Sequence, residues 1–176
     1  MIHIPIRVNV LPFGYSNIYV DRQSYYYNEG VYYRSYNNEY EIIAPPLGAR
    51  VFRLPANARV QVINGRKYYE LRGTFYQEDI DTRNHLSYIV TGVKEVLDMT
   101  DVDSTSIKKS IPVQSEKQNS NEIPVAGTRV NELPADCRTV IINQQKFYES
   151  PQGIYYQEMV EANTINYEIV GNALNN

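Results

Sequence analysis

Few residues in this sequence have the types and spacing that chemistry requires. Glu78-Asp79-Ile80-Asp81 sets three carboxylates in four residues, and His85 follows closely. Carboxylates so grouped are the raw material of general acid-base hydrolysis, in which one carboxyl gives a proton and another activates water. A charged turn after a strand end has the same composition and is the simpler reading. Asp98, Asp101 and Asp103 resemble a cation-binding run, yet the glycine and closing glutamate of a calcium loop are missing. That run reads as solvated linker. His3, His85 and Cys137 complete the stock of classical ligands, too little for a metal cage, a disulfide framework or a histidine-centred site. No metal and no other cofactor is expected. Cys137 reads as a small core side chain, because an activated thiolate needs a basic or histidine neighbour. No phosphate loop, dinucleotide fingerprint or nucleophile elbow is present.

Tyrosine is what the chain has in excess: 17 Tyr stand beside 4 Phe and no Trp in 176 residues. Many come in doublets, and successive strand residues face opposite sides, so each doublet sends one ring inward and one outward. Tyr26, Tyr33, Tyr69, Tyr76, Tyr148 and Tyr156 are therefore the candidate ligand-binding platform, a surface that stacks on sugar rings, peptide prolines or bases. The alternative role for the same rings is packing between units or cross-strand pairing. Nucleic acid is disfavoured as a partner, because the net charge is −3 and no basic stripe is present.

The elements that hold these doublets repeat. Arg7-Val8 to Leu11-Pro12, Arg50-Val51 to Leu54-Pro55 and Arg129-Val130 to Leu133-Pro134 share one pattern, at offsets of 43 and 79. After each come a turn (Asp21-Arg22, Asn64-Gly65, Asn143-Gln144), an aromatic doublet, a glycine (Gly30, Gly73, Gly153), a second doublet, and a Tyr-led apolar segment. Asn-Gly between apolar runs is a strong hairpin signal, since both residues tolerate positive φ. The glycine turn, read as Asn28-Glu29-Gly30 and its counterparts, suits a three-residue loop with a type I turn and a left-handed residue at a bulge. The recurrent arginines read as a repeated salt bridge or backbone hydrogen bond.

The expected fold class is all-β: three tandem antiparallel β-meander repeats, as small SH3-like barrels or packed meanders, with a polar linker between the second and third. The boundaries are 1–44 and 45–92 for two units packed together, 93–123 for the linker, and 124–171 for the third. The linker lacks Tyr and Gly and carries Ser, Asn and Lys runs. Val93, Val96 and Leu97 are spaced for one amphipathic helical turn at its start, and proteolysis is expected first between residues 100 and 122. Exposed edge strands make a homodimer an open option. No window is long and apolar enough to span a bilayer.

Arg50 through Pro55, Val62-Ile63-Asn64-Gly65, Tyr68-Tyr69 and Gly73-Thr74-Phe75-Tyr76 resemble a Tyr-rich bacterial domain-of-unknown-function family, as do Gly30 to Arg34 and Tyr40 to Gly48. The resemblance implies a small exported or envelope-associated protein with no assigned activity. It implies periplasm or cell envelope if a leader has been trimmed, and cytoplasm otherwise. The functional expectation is a non-catalytic binding or scaffold module whose partner is an unknown protein or a cell-wall glycan. The alternative is a hydrolase of cell-wall glycan or peptidoglycan drawing its acid-base groups from Glu78, Asp79 or Asp81, with or without His85.

Overall fold

The structure, a computed structural model, describes residues 5–94, 125–162 and 164–174. Every element in it is a strand. The first meander comprises β1 (Arg7–Val8), β2 (Ser16–Val20), β3 (Gln23–Asn28), β4 (Val31–Tyr36) and β5 (Glu39–Ile43). The second comprises β6 (Arg50–Val51), β7 (Arg59–Ile63), β8 (Arg66–Leu71), β9 (Thr74–Ile80) and β10 (Leu86–Lys94). The third comprises β11 (Arg129–Val130), β12 (Arg138–Ile142), β13 (Gln145–Glu149), β14 (Ile154–Glu161) and β15 (Thr164–Ala173).

Local chemistry sets the turns. Asn64 and Gly65 have φ of 50° and 69°, and the less suited pairs Asp21-Arg22 and Asn143-Gln144 adopt the same handedness. The glycine turns correct the sequence expectation in two of three cases. Asn28 pairs with Val31 and Leu71 with Thr74, so Glu29-Gly30 and Arg72-Gly73 are two-residue loops with positive φ at both positions. One residue more in the third meander restores the three-residue form, with Gly153 N–H donating to Ser150 O at 2.9 Å.

The meanders do not each close into a small barrel. Strands β7-β8-β9-β10 and β12-β13-β14-β15 close together into one eight-stranded antiparallel barrel, while the first meander stays an open sheet in the order β1-β5-β4-β3-β2. Two seams complete the barrel, and their register matches. Gly92 faces Ile142 and Lys94 faces Val140; Gly171 faces Ile63 and Ala173 faces Gln61. Next to each glycine the strand bulges at Thr91 or Val170, and the carbonyl there accepts from Asn143 N–H (2.8 Å) or Asn64 N–H (2.7 Å) of the facing hairpin. A bulge of this kind bends a strand and sharpens its twist, as closure requires. Glycine is needed on steric grounds. A Cβ at Gly92 would stand 2.2 Å from Ile141 O, and one at Gly171 2.0 Å from Val62 O.

Two cores result. Ile63, Tyr68, Phe75, Val140, Ile142, Phe147 and Tyr155 fill the barrel. Ile18, Tyr27 and Tyr32 of the open sheet pack on Val51, Leu71, Tyr76 and Val90 outside the second meander. The third meander, expected beyond a linker, is thus hydrogen-bonded to the second along both seams. Strand β10 runs through Val93 to Lys94, so Val93 is extended rather than helical. Val96, Leu97 and the remainder of the linker segment fall outside the described residues, as do His3, Asp98, Asp101 and Asp103.

Candidate functional site

Doublet alternation holds. Tyr26 faces Tyr33, Tyr69 faces Tyr76, and Tyr148 faces Tyr156 across their strand pairs, so the six candidate rings form three matched pairs on outer sheet faces. Burial divides each pair. Tyr33, Tyr76 and Tyr156 are buried, and Tyr76 is fully so, its hydroxyl accepting from Tyr32 OH at 3.1 Å. Burial raises the Tyr76 phenol above its ordinary value. Those three rings are packing residues, and Tyr76 sits beneath the open sheet, where no ligand reaches it.

Tyr26, Tyr69 and Tyr148 are half-buried, and each meets a tyrosine of its last strand edge-on. Tyr26–Tyr40 centroids lie 5.3 Å apart, Tyr69–Tyr88 5.3 Å and Tyr148–Tyr167 5.6 Å, all near-perpendicular. Such pairs contribute about 0.5–1.5 kcal/mol beyond burial. The sequence pattern offered the first member of each pair; the partner was visible only as a Tyr-led closing segment.

The three pairs differ in their polar surroundings. Tyr69 OH donates to Glu78, beneath Lys67 Nζ, which lies 5.0 Å from its ring centroid. Tyr148 OH donates to Glu158 at 3.2 Å, with Lys146 Nζ 4.9 Å from its ring centroid. Tyr26 has neither a carboxylate nor a lysine against it among the described contacts. It meets Tyr15 edge-on at 5.6 Å, so Tyr15, Tyr26 and Tyr40 form a continuous aromatic run on the outer face of the open sheet. Tyr19, 71% exposed, shares that face by strand alternation. Sequence reasoning missed Tyr15 and Tyr19, which belong to no doublet.

The acidic candidates are tied up locally. Glu78 is held below the usual carboxylate range first by the Tyr69 hydroxyl and then by Lys67. Asp79 pairs with Arg50, whose Nη1 also reaches Ser87 Oγ at 2.6 Å. Asp81 closes its own loop, accepting from the His85 and Arg83 N–H groups and lying 3.1 Å from His85 Nδ1; these bonds, His85 N–H foremost, lower its pKa. Asp81 and His85 thus meet, in an exposed turn. Burial, then Asp136, pushes the Cys137 thiol up. The recurrent arginines find partners: Arg50 as above, Arg129 on Glu161 (2.8 Å) and Glu168 (3.3 Å), and Arg7 on the Tyr36 ring at 4.3 Å. Among the described residues no group of three or more His, Cys, Asp or Glu is placed to hold a metal ion, and no helix is long and apolar enough to cross a membrane.

A family model matches residues 3–173, nearly the whole chain. The chain belongs to the family of unknown function DUF6515. That agrees with the resemblance drawn from the Arg-Val, Leu-Pro and tyrosine motifs to a domain-of-unknown-function family. No curated protein and no solved structure matches the DUF6515 chain.

Proposed function

We propose that this DUF6515 protein is a non-catalytic cell-envelope module, made of three copies of one strand meander, that binds a glycan or peptide through exposed tyrosines. The observation that carries this reading is the Tyr15–Tyr26–Tyr40 run. It lies on the outer face of a sheet whose other face is already used against the barrel. Aromatic rings set edge to face, without charged groups over them among the described residues, leave apolar surface for sugar C–H groups or prolines and hydroxyl tips for hydrogen bonds. The barrel then acts as a rigid mount. Export to the envelope accompanies this reading, since cell-wall ligands are met there.

The test is co-sedimentation with purified cell-wall sacculi, alongside titration with soluble glycan fragments and proline-rich peptides followed by tyrosine fluorescence. Retention is expected for the native protein and should fall about tenfold or more when Tyr26→Ala and Tyr40→Ala remove two stacking rings. Folded variants retained as well as the native chain, or a native chain that is not retained, would overturn the proposal.

A further inference from the structure

The barrel's second and third meanders share one register, and at one mouth their side chains break the correspondence. Arg59 Nε and Nη2 both donate to Glu70 Oε2, at 3.0 and 2.6 Å. The matching pair, Arg138 and Glu149, face each other across β12 and β13 but form no ion pair. Glu149 is taken instead by Lys94, 2.9 Å away, and by Tyr155 OH at 3.0 Å. Lys94 has no counterpart, because Ala173 stands in its place. The turn beside it, Ser150 to Gly153, is one residue longer than Leu71 to Gly73. The short side chain and the longer turn leave a cavity of about 660 Å³ lined by Arg59, Lys94, Arg138, Glu149, Gln152 and Ala173, among others.

We infer that this cavity binds a small ligand through an oxyanion, a carboxylate or phosphate group, with Arg138 as the principal contact. Among the described residues no carboxylate sits on the guanidinium of Arg138, and its fork geometry suits two parallel hydrogen bonds to such a group. Arg59 reaches the same cavity with Nη1 uncommitted, since its other two donor atoms serve Glu70. Gln152 adds a neutral amide donor. Two acidic groups also line the space: Glu149, whose charge Lys94 offsets, and Asp136, which lies on the same segment as Arg138 without bonding it. The cavity has room for more than the anionic group, so the ligand is expected to carry a polar organic body. This site is separate from the tyrosine face and does not depend on it.

Calorimetric titration of the whole chain with inorganic phosphate and with malonate, at matched ionic strength in chloride, tests the inference. At least one anion should bind saturably at one site per chain, and the two arms tell phosphate from carboxylate. Arg138→Gln should weaken binding about tenfold or more, the scale of a lost charge-assisted hydrogen-bond pair. Arg22→Gln, on the open sheet, should leave it unchanged. Arg138 is exposed, so its variant should fold, and an unchanged melting temperature checks this. Failure of both anions to bind, or equal binding by the two variants, would overturn the inference.

Discussion

The second and third meanders occupy equivalent places in one barrel, yet they bear different loads. Around the second, the open sheet covers the outer face, so Tyr76, Val90 and Val51 are almost fully buried and Leu71 plugs the contact. Around the third, no second sheet among the described residues lies on the corresponding face, and a buried Ser150 stands where Leu71 would be. Inside, Gln61 of β7 corresponds to Val140 of β12; both are buried, and Gln61 Oε1 has no hydrogen-bond partner among the described residues. Backbone register therefore constrains this barrel more tightly than side-chain identity does. The hydrogen-bonded frame tolerates polar and charged exchanges at matched positions, and the differences accumulate where neighbours differ.

The sharpest way to break the correspondence is at a seam. Gly171→Ala should open the barrel, because its Cβ would collide with Val62 O rather than with a movable side chain. A loss of about 4 kcal/mol or more is expected, read as a collapsed denaturation midpoint. Gly92→Ala should match it, and a large difference between them would show that the seams are not equivalent.

Next in size is the mouth. Glu70 is buried and accepts from Gly73 N–H at 2.8 Å as well as from Arg59, with Lys94 3.6 Å away. Glu70→Ala should cost about 3 kcal/mol or more, since the largely buried Lys94 and the Gly73 N–H would lose a partner, whereas Arg59 at the surface would regain water. Glu149→Ala, at a more open position, should cost less. Burial alone would raise the Glu70 pKa, but Gly73 N–H, Lys94 and Arg59 outweigh it and the net value is lowered. A lowered folded pKa means that the ionised form supports the fold above the unfolded value. That support is lost as pH falls through the folded value. Glu70→Gln should accordingly flatten the acid limb of a stability-versus-pH curve.

Smaller again is the join between open sheet and barrel. Leu71→Ala should cost about 3 kcal/mol through the cavity it leaves, and amide exchange should accelerate in the first meander before the third. Equal acceleration in both would contradict the packing order. The smallest effect is stabilising: Gln61→Val, which copies the third meander, should gain about 1 kcal/mol by removing an unpaired buried oxygen. A loss would mean that this oxygen is satisfied in solution.

Much of the fold can be read in the residues. Alternation, the Asn64-Gly65 turn and the tyrosine doublets specify strands, hairpins and which ring points which way, because these depend on neighbours in the chain. The joint barrel was not legible. Its markers are Gly92 and Gly171, single glycines outside the repeated motif, whose role depends on a backbone brought from far along the sequence. In the first meander Ala44-Pro45-Pro46 follows β5 where the others continue through glycine, and proline cannot donate to a ladder. That explains, after the fact, why this sheet stays open. Tyr15 escaped notice for a similar reason, since it joins Tyr26 across a sheet rather than along a doublet.

The sequence by itself determined the strands, the first hairpin turn of each meander and the two faces of every sheet, because dihedral preference and side-chain alternation act over a few residues. Only the tertiary structure decided which meanders share a barrel, which tyrosines are covered, and that Glu149 turns to Lys94 rather than to Arg138. Those outcomes depend on steric fit and charge pairing between segments distant in the chain, where one missing Cβ or one added turn residue selects the partner.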